Sequence, residues 1–478
     1  MSTPFIGRKE EKAILKEALA SNEAEMVAVI GRRRVGKTFL IEHEYKDRLV
    51  FHITGLQDAP LHEQLENFTF NLQKFAKSKL LLQTPKSWLK AFMQLINYLE
   101  TLDWKKKKVV FLDELSWMAT RRSGFLRALG FFWNSWAVNK NIVIVICGSA
   151  ASWMIQKVIN HRGGLHNRIT KRIFLKPFTL AETKDYFLSK KINFNSYQIA
   201  QIYMVMGGIP HYLKEVKGYK SAVQNIDDIC FSDSGLLKEE FSRLYVSLFE
   251  NAENHVAVIR ALAATRQGLT RNKIITHAKL PEGGSSTRIL EELTQSGFIT
   301  LYYPFGKKKK DLLYRLTDEY SLFYLKFMEK KKHDGRGTWK HLSQTQMYKT
   351  WSGYAYENLC LKHISQIKKA LGISGIYSTS SSFLKRGTTD SKGTQIDLVL
   401  DRSDHSINLF EIKFSSKEFV LTKSYAKLLQ EKIWIFEEAT KTRKQIFLTL
   451  ITTFGIKHNE HSLGLIQQVL TLDDLFEH

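Results

Sequence analysis

Between residues 27 and 40 the chain reads "VAVIGRRRVGKTFL", and no other stretch confines the fold as tightly. It fits G-x-x-x-x-G-K-[ST], with Gly31, Gly36, Lys37 and Thr38 at the fixed places and Arg32, Arg33, Arg34 and Val35 between them. The run "MVAVIG" ahead of it is apolar and β-branched, while "KTFLIEHEY" behind it has helical spacing. A strand that turns through a Gly-rich loop into a helix aims successive backbone N–H groups at one anion, at the positive end of that helix. In such a cradle Lys37 bridges β- and γ-phosphates and Thr38 ligates Mg²⁺. The segment therefore predicts an α/β core with a parallel sheet, and ATP as its cofactor.

Two further apolar runs supply the rest of such a sheet. "KKKKVVFLDELSWM" carries Val109 to Leu112 into Asp113 and Glu114, at a strand's carboxyl end, where open α/β sheets place their ligands. Asp113 is expected in the metal shell, and Glu114 to orient or deprotonate the attacking water. "NIVIVICGSAASW" ends at Ser149 and Ser152. Ser149 is expected to sense the γ-phosphate, although a serine after glycine is also ordinary turn chemistry.

At 478 residues the chain is long enough for about three or four domains. Its 71 basic and 47 acidic residues give a net charge of +24, which favours a polyanionic partner, DNA before membrane, although a basic surface can serve solubility alone. Cys147, Cys230 and Cys360 are far apart and lack C-x-x-C spacing, which excludes a cysteine zinc site and fits a reduced, cytoplasmic setting. The first residues run straight into a charged amphipathic helix, and no apolar run reaches the ~18 residues of a membrane span.

Taken in order, "FIGRKEEKAILKEAL", "GRRRVGKT", "VVFLDEL", "ICGSAASWM", "GGLHNRITKRIFLKPFTLAE" and "GGIPHYL" resemble the AAA-related STAND-type ATPases of archaea and bacteria, the archaeal-ATPase group. The resemblance covers roughly the first half of the chain. It implies that Arg168 approaches the γ-phosphate and that Phe5, Ile6 and Gly7 lie near the adenine. The local sequence leaves Arg162, Arg168, Lys171 and Arg172 equally readable as a solvated basic face.

Residues 255 to 320 read as helix, turn, short helix, a Gly/Ser break, a third helix from about Ser286 to Gln295, and two β runs separated by "FGKKKK". That order predicts a winged helix-turn-helix. Thr287 and Arg288 fall where a recognition helix meets base edges, and Lys307 to Lys310 would form a basic wing for phosphates. Modules of this kind also serve as protein-protein or intradomain elements. A charged, polar stretch near 329 to 346 reads as a linker.

In the tail, "WSGYAYENLCLKHI" has helical spacing with Glu357 inside, and "GTQIDLVLDRSDHSINLFEIKFS" gives two β runs joined by a turn. Period-two geometry sets Glu411 and Lys413 on one face of a strand. Asp397 on the paired strand can converge with Glu411 on a divalent cation, with Lys413 to position or activate water. The last 130 or so residues resemble the PD-(D/E)xK nuclease fold. The resemblance implies that Asp397, Glu411 and Lys413 are its catalytic positions and Glu357 an accessory metal-binding acid, with Ile396 in place of the family's proline. Mg²⁺ or Mn²⁺ would serve there.

The sequence thus predicts an α/β multidomain protein. A RecA/AAA-like P-loop NTPase core (residues 1–175) precedes a helical lid (176–250), a winged helix (251–330) and a restriction-endonuclease-like α/β domain (345–478). Its expected activity is ATP hydrolysis coupled to a DNA-directed, metal-dependent nuclease; the alternative is an ATP-switched regulatory module whose tail does not cleave. Self-association is left open.

Overall fold

The computed structural model describes residues 5–477 apart from 78–81, 121, 161–164, 166, 250, 308–310, 331–334 and 388–392. Arg162 of the basic group and Lys308 to Lys310 of the wing lie outside the described residues. The chain divides into two compact units, residues 7–177 and a larger one made of residues 178–478 together with Phe5 and Ile6.

The first unit is built on five parallel strands, β1 (Glu25–Ile30), β2 (Leu49–Thr54), β3 (Lys108–Asp113), β4 (Ile142–Gly148) and β5 (Lys171–Phe174), in the order β2-β3-β4-β1-β5. Every residue of β1 and β4 is buried, as expected of central strands covered on both faces. Met26, Ala28 and Ile30 of β1 share one core cluster with Ile142, Ile144 and Ile146 of β4, the alternate positions that point to one side of a pleated sheet. Helices Leu61–Ala76 and Trp88–Glu100 close that side. They come from the stretch 56 to 105, in which the sequence offers no motif. Trp88 meets Phe125 edge-on at 4.7 Å, and Phe92 stacks on Phe132 at 5.1 Å. These residues serve packing: their burial fixes the sheet whose carboxyl edge carries the loop.

The second unit opens with helices Leu180–Ser189, Ser196–Met206 and Ala222–Phe231. Two of them begin with reciprocal caps, Thr179 with Glu182 and Ser221 with Gln224, which satisfy otherwise orphaned backbone N–H groups. Three helices follow, Ala252–Ala263, Arg271–Ala278 and Gly284–Gln295, the third starting two residues earlier than its sequence pattern suggests. They lead into an antiparallel pair, β6 (Ile299–Tyr302) and β7 (Leu313–Leu316), to which Leu269 adds a bridge at Tyr314.

The expected linker near 329 to 346 is instead folded over part of its length. Helix Thr338–Leu342 buries Trp339 among Phe231, Phe323, Phe327 and Trp351. Asp227 accepts the N–H groups of Gly337 and Trp339 at 2.5 and 2.6 Å. One tryptophan's apolar area outweighs the polar composition around it.

Helix Gln346–Lys362 then leads to a second sheet of β8 (Ser378–Lys385), β9 (Thr394–Arg402), β10 (Ser406–Lys413), β12 (Gln445–Thr452) and β14 (Gln468–Leu470), ordered β14-β12-β10-β9-β8. The short strands β11 (Phe419–Val420) and β13 (Ile456–Lys457) pair separately. β8, β9 and β10 are antiparallel neighbours, while helix Lys423–Thr440 crosses over to let β12 run parallel to β10. Among the described residues no helix is long and apolar enough to cross a membrane.

Candidate functional site

The glycine loop follows β1 directly. Leu175 donates its N–H to Ile30 O at 2.7 Å, and a Cβ on Gly31 would lie 2.4 Å from Leu175 O, so only glycine lets these two backbones come so close. Gly36, with φ of +92°, caps helix Lys37–Glu44, and Arg34 also has positive φ. The Lys37 ammonium is buried and donates to Gly31 O at 2.9 Å and Arg32 O at 3.1 Å, bridging the start of the loop. Arg8 donates to Val35 O at 3.3 Å from the other side. The Arg33 guanidinium stands 5.8 Å from the centre of the Trp117 ring, and Arg32 is buried.

Because β4 separates β1 from β3 in a parallel sheet, the carboxyl ends of all three strands share one edge. Thr38 Oγ1 donates to Asp113 Oδ2 at 2.6 Å, and Asp113 Oδ1 accepts the Glu114 N–H at 2.9 Å. Glu114, with φ of +48°, turns back so that its Oε2 accepts both the N–H and the hydroxyl of Ser149, at 3.0 and 2.8 Å. Thr38, Asp113, Glu114 and Ser149 form one hydrogen-bonded line beside Lys37. Its hard oxygen donors suit a small divalent cation that keeps positions for phosphate and water. Beneath them Cys147 is fully buried, and burial followed by the Asp113 charge pushes its thiol well up, so it stays protonated. Arg168 stands exposed at a turn held by its own N–H to Leu165 O, outside this line.

In the tail, the antiparallel register pairs Phe410 with Leu398, which sets Glu411 opposite Asp397. Glu411 is buried, and its oxygens are already engaged: Oε1 by Lys413 Nζ at 2.9 Å and by the Tyr425 hydroxyl, Oε2 by Lys432 Nζ at 2.8 Å. Burial alone would raise this carboxyl, but the two ammonium groups outweigh it and hold it below the usual range. Asp397 is raised, by burial first and then by Glu411, and Gln395 Nε2 donates to its Oδ1 at 2.9 Å. Glu357 pairs with Arg315 at 3.2 Å, yet burial and then the Asp397 charge lift it to about 7. Three acids, Glu411, Asp397 and Glu357, are thus flanked by Lys413 and Lys432 at one end and by Arg315 at the other.

Lys432, Tyr425 and Arg315 escape the sequence reading. Tyr425 and Lys432 lie seven positions apart, two turns on one face of helix Lys423–Thr440; that spacing after E-x-K is the signal that could have found them. Arg315 lies within β7 and has no comparable mark. Among the described residues no group of three or more His, Cys, Asp or Glu side chains is arranged to hold a metal ion. With both Glu411 oxygens taken by cations and a phenol, the tail as folded does not fit the three-carboxylate metal site expected of Glu357, Asp397 and Glu411.

On helix Gly284–Gln295, Arg288 is exposed and pairs with Glu292 at 3.0 Å, while Thr287 Oγ1 accepts from Arg271 Nε at 3.1 Å. The segment that leaves β6 is tied to the tail sheet. Phe305 donates its N–H to Ser382 O of β8 at 2.6 Å, and its ring meets Phe436 at 5.0 Å.

Residues 5–216 match the model of an ATPase domain found predominantly in Archaea. This part of the chain is an archaeal-type ATPase domain. An uncharacterized protein of Methanocaldococcus jannaschii is 23% identical over 437 residues, covering 89% of this chain and 91% of that one. An uncharacterized ATP-binding protein of the same archaeon is 25% identical over 346 residues, 59% of this chain and 93% of its own. Among solved structures, the Walker-type ATPase of Pyrococcus abyssi aligns with a TM-score of 0.48 at 19% identity, over 67% of this chain and 96% of that one.

Proposed function

We propose that this ATPase is a nucleotide-driven switch that engages DNA through its second unit, with a tail that binds rather than cuts. The observation that carries the nucleotide half is the line Thr38, Asp113, Glu114 and Ser149 beside the Lys37 ammonium. On this reading Lys37 exchanges its two loop carbonyls for phosphate oxygens, and Thr38 and Asp113 hold Mg²⁺, which neutralises charge on the β- and γ-phosphates. Glu114 aligns the attacking water or takes its proton, and Ser149 fixes the carboxylate that does so. Arg168 is exposed just ahead of β5, whose first residue pairs with Val27 near the start of β1, at the amino edge of the sheet rather than at the edge that carries the loop.

The DNA half is supported by a charge of +24 and by the order of three helices and a hairpin with the Leu269 bridge, the arrangement of a winged helix. Thr287 and Arg288 are the side chains proposed to meet base edges. The tail is proposed as a PD-(D/E)xK-type fold, supported by its helix, three antiparallel strands, crossover helix and parallel strand. That both Glu411 oxygens are bound by Lys413, Lys432 and Tyr425 favours a non-cleaving tail. Active cleavage is the second reading, favoured by the pairing of Asp397 opposite Glu411.

The test is incubation of supercoiled, linear and branched DNA with the wild type and Glu411→Ala, with Mg²⁺ or Mn²⁺, with and without ATP. Binding without cleavage, and ATP hydrolysis that changes when DNA is added, are expected. Cleavage lost in the variant would replace the binding reading with the nuclease. Absence of any DNA binding would remove both.

A further inference from the structure

We infer that the cleft between the β6–β7 hairpin and the β8–β9 side of the tail sheet binds single-stranded nucleic acid by its phosphates. This rests on the DNA reading above and names the form of nucleic acid taken. The cleft has a volume of about 890 Å³. Arg266, Lys273, Lys307, Arg315, Lys385 and Arg386 line it, against the acids Asp311 and Asp397, so its field selects anions.

Three observations sharpen the choice. Arg315 is only 5% exposed, with its guanidinium 4.6 Å from the centre of the Tyr354 ring and one nitrogen on Glu357. Its Nε has no hydrogen-bond partner among the described residues. Its guanidinium adds positive charge at the wall of the cleft. Across the floor, Gln267 Nε2 donates to Gln395 Oε1 at 3.1 Å, and Gln395 continues to Asp397, a row of amides able to meet base edges. Tyr302 and Phe305 add ring surface to the wall, the mixture of cations and aromatics that single strands use.

The walls are fixed to each other. Pro304 and Ser382 form a β-bridge, the Phe305 N–H donates to Ser382 O, and the Phe305 ring packs on Phe436. The space is therefore built into the fold. A turn of duplex is about 34 Å long, and its volume is on the order of ten times that of the cleft, whereas a few nucleotides of one strand match a pocket of this size. A strand seated here would lie against Asp397.

The experiment is fluorescence anisotropy with a labelled oligothymidine and a labelled blunt duplex, in a salt series, on the full chain with and without ATP. The wild type should prefer the single strand by about tenfold. Lys385→Ala with Arg386→Ala should flatten the slope of log affinity against log salt by about 1.4, from about 0.7 per phosphate contact on a single strand. The same paired change at Lys214 and Lys217, exposed and outside the cleft, should leave both slope and affinity in place. Preference for the duplex, or equal losses from the two pairs, would overturn the cleft while the DNA reading stands. No binding of either oligonucleotide would remove the DNA reading and the cleft with it.

Discussion

Glu357 should make the stability of the second unit fall as pH rises, and Glu357→Gln should remove that fall. In the folded protein burial, reinforced by the Asp397 charge and opposed by Arg315, raises this carboxyl from 4.5 to about 7. Between those two values the folded chain keeps a proton that the unfolded chain has released. The unfolded state then binds fewer protons, so stability declines with rising pH. A carboxyl whose pKa differs by one between the folded and unfolded chain contributes about 1.4 kcal/mol, which sets a ceiling of about 3 kcal/mol for the whole span. The side chain is 16% exposed, so solvent screening takes little from that figure. Asp397 is raised as well, and because its charge also acts on Glu357, the difference between wild type and variant reports the two carboxyls together. The assay is urea unfolding at pH 5, 6, 7 and 8 at constant ionic strength, followed by tryptophan fluorescence. Glutamine has no proton to lose and lacks the charge that pairs with Arg315 once Glu357 ionises, so the informative quantity is the change in the difference rather than its absolute size. The wild type should lose roughly 2–3 kcal/mol relative to the variant across this range. Parallel profiles would show that Glu357 ionises normally despite its burial.

Lys37→Ala should abolish nucleotide binding in equilibrium titration while circular dichroism stays unchanged, because the ammonium's present partners are two carbonyls of its own loop. Gly31→Ala should lower thermal stability by about 1–3 kcal/mol, since its Cβ would meet the Leu175 backbone oxygen; an unchanged melting temperature would mean the two strand ends separate freely. Asp227→Ala leaves two backbone N–H groups beside buried Trp339 without their acceptor and should cost about 1–3 kcal/mol for each, read as a lower urea midpoint.

The first unit was the more legible of the two because its chemistry is local. Gly31 to Thr38 are consecutive, and Asp113 and Ser149 mark themselves by ending apolar runs of strand length. A sequence reader needs only the rule that parallel strands end on one edge to bring them together. Trp339 shows the opposite case: a polar stretch reads as a linker because composition averages over neighbours, whereas packing acts on one side chain at a time. The hairpin carries a feature the sequence does not mark: Phe305, just ahead of the lysines, covers the edge of β8 with its N–H and ring.

The tail sets the sharper limit. Alternation along a strand tells which side chains share a face, so Glu411 and Lys413 could be paired from sequence, and the same rule placed Asp397 near them. It does not say what the opposite layer brings down onto that face. Lys432 comes from a helix twenty-one residues further on and reaches Glu411 Oε2 at 2.8 Å, and Tyr425 takes part of Oε1. A motif of two acids and a lysine is compatible with a divalent cation or with an ammonium in its stead, since both neutralise buried carboxylates. Which of the two meets Glu411 is set by long-range contacts from helix Lys423–Thr440, not by the motif itself.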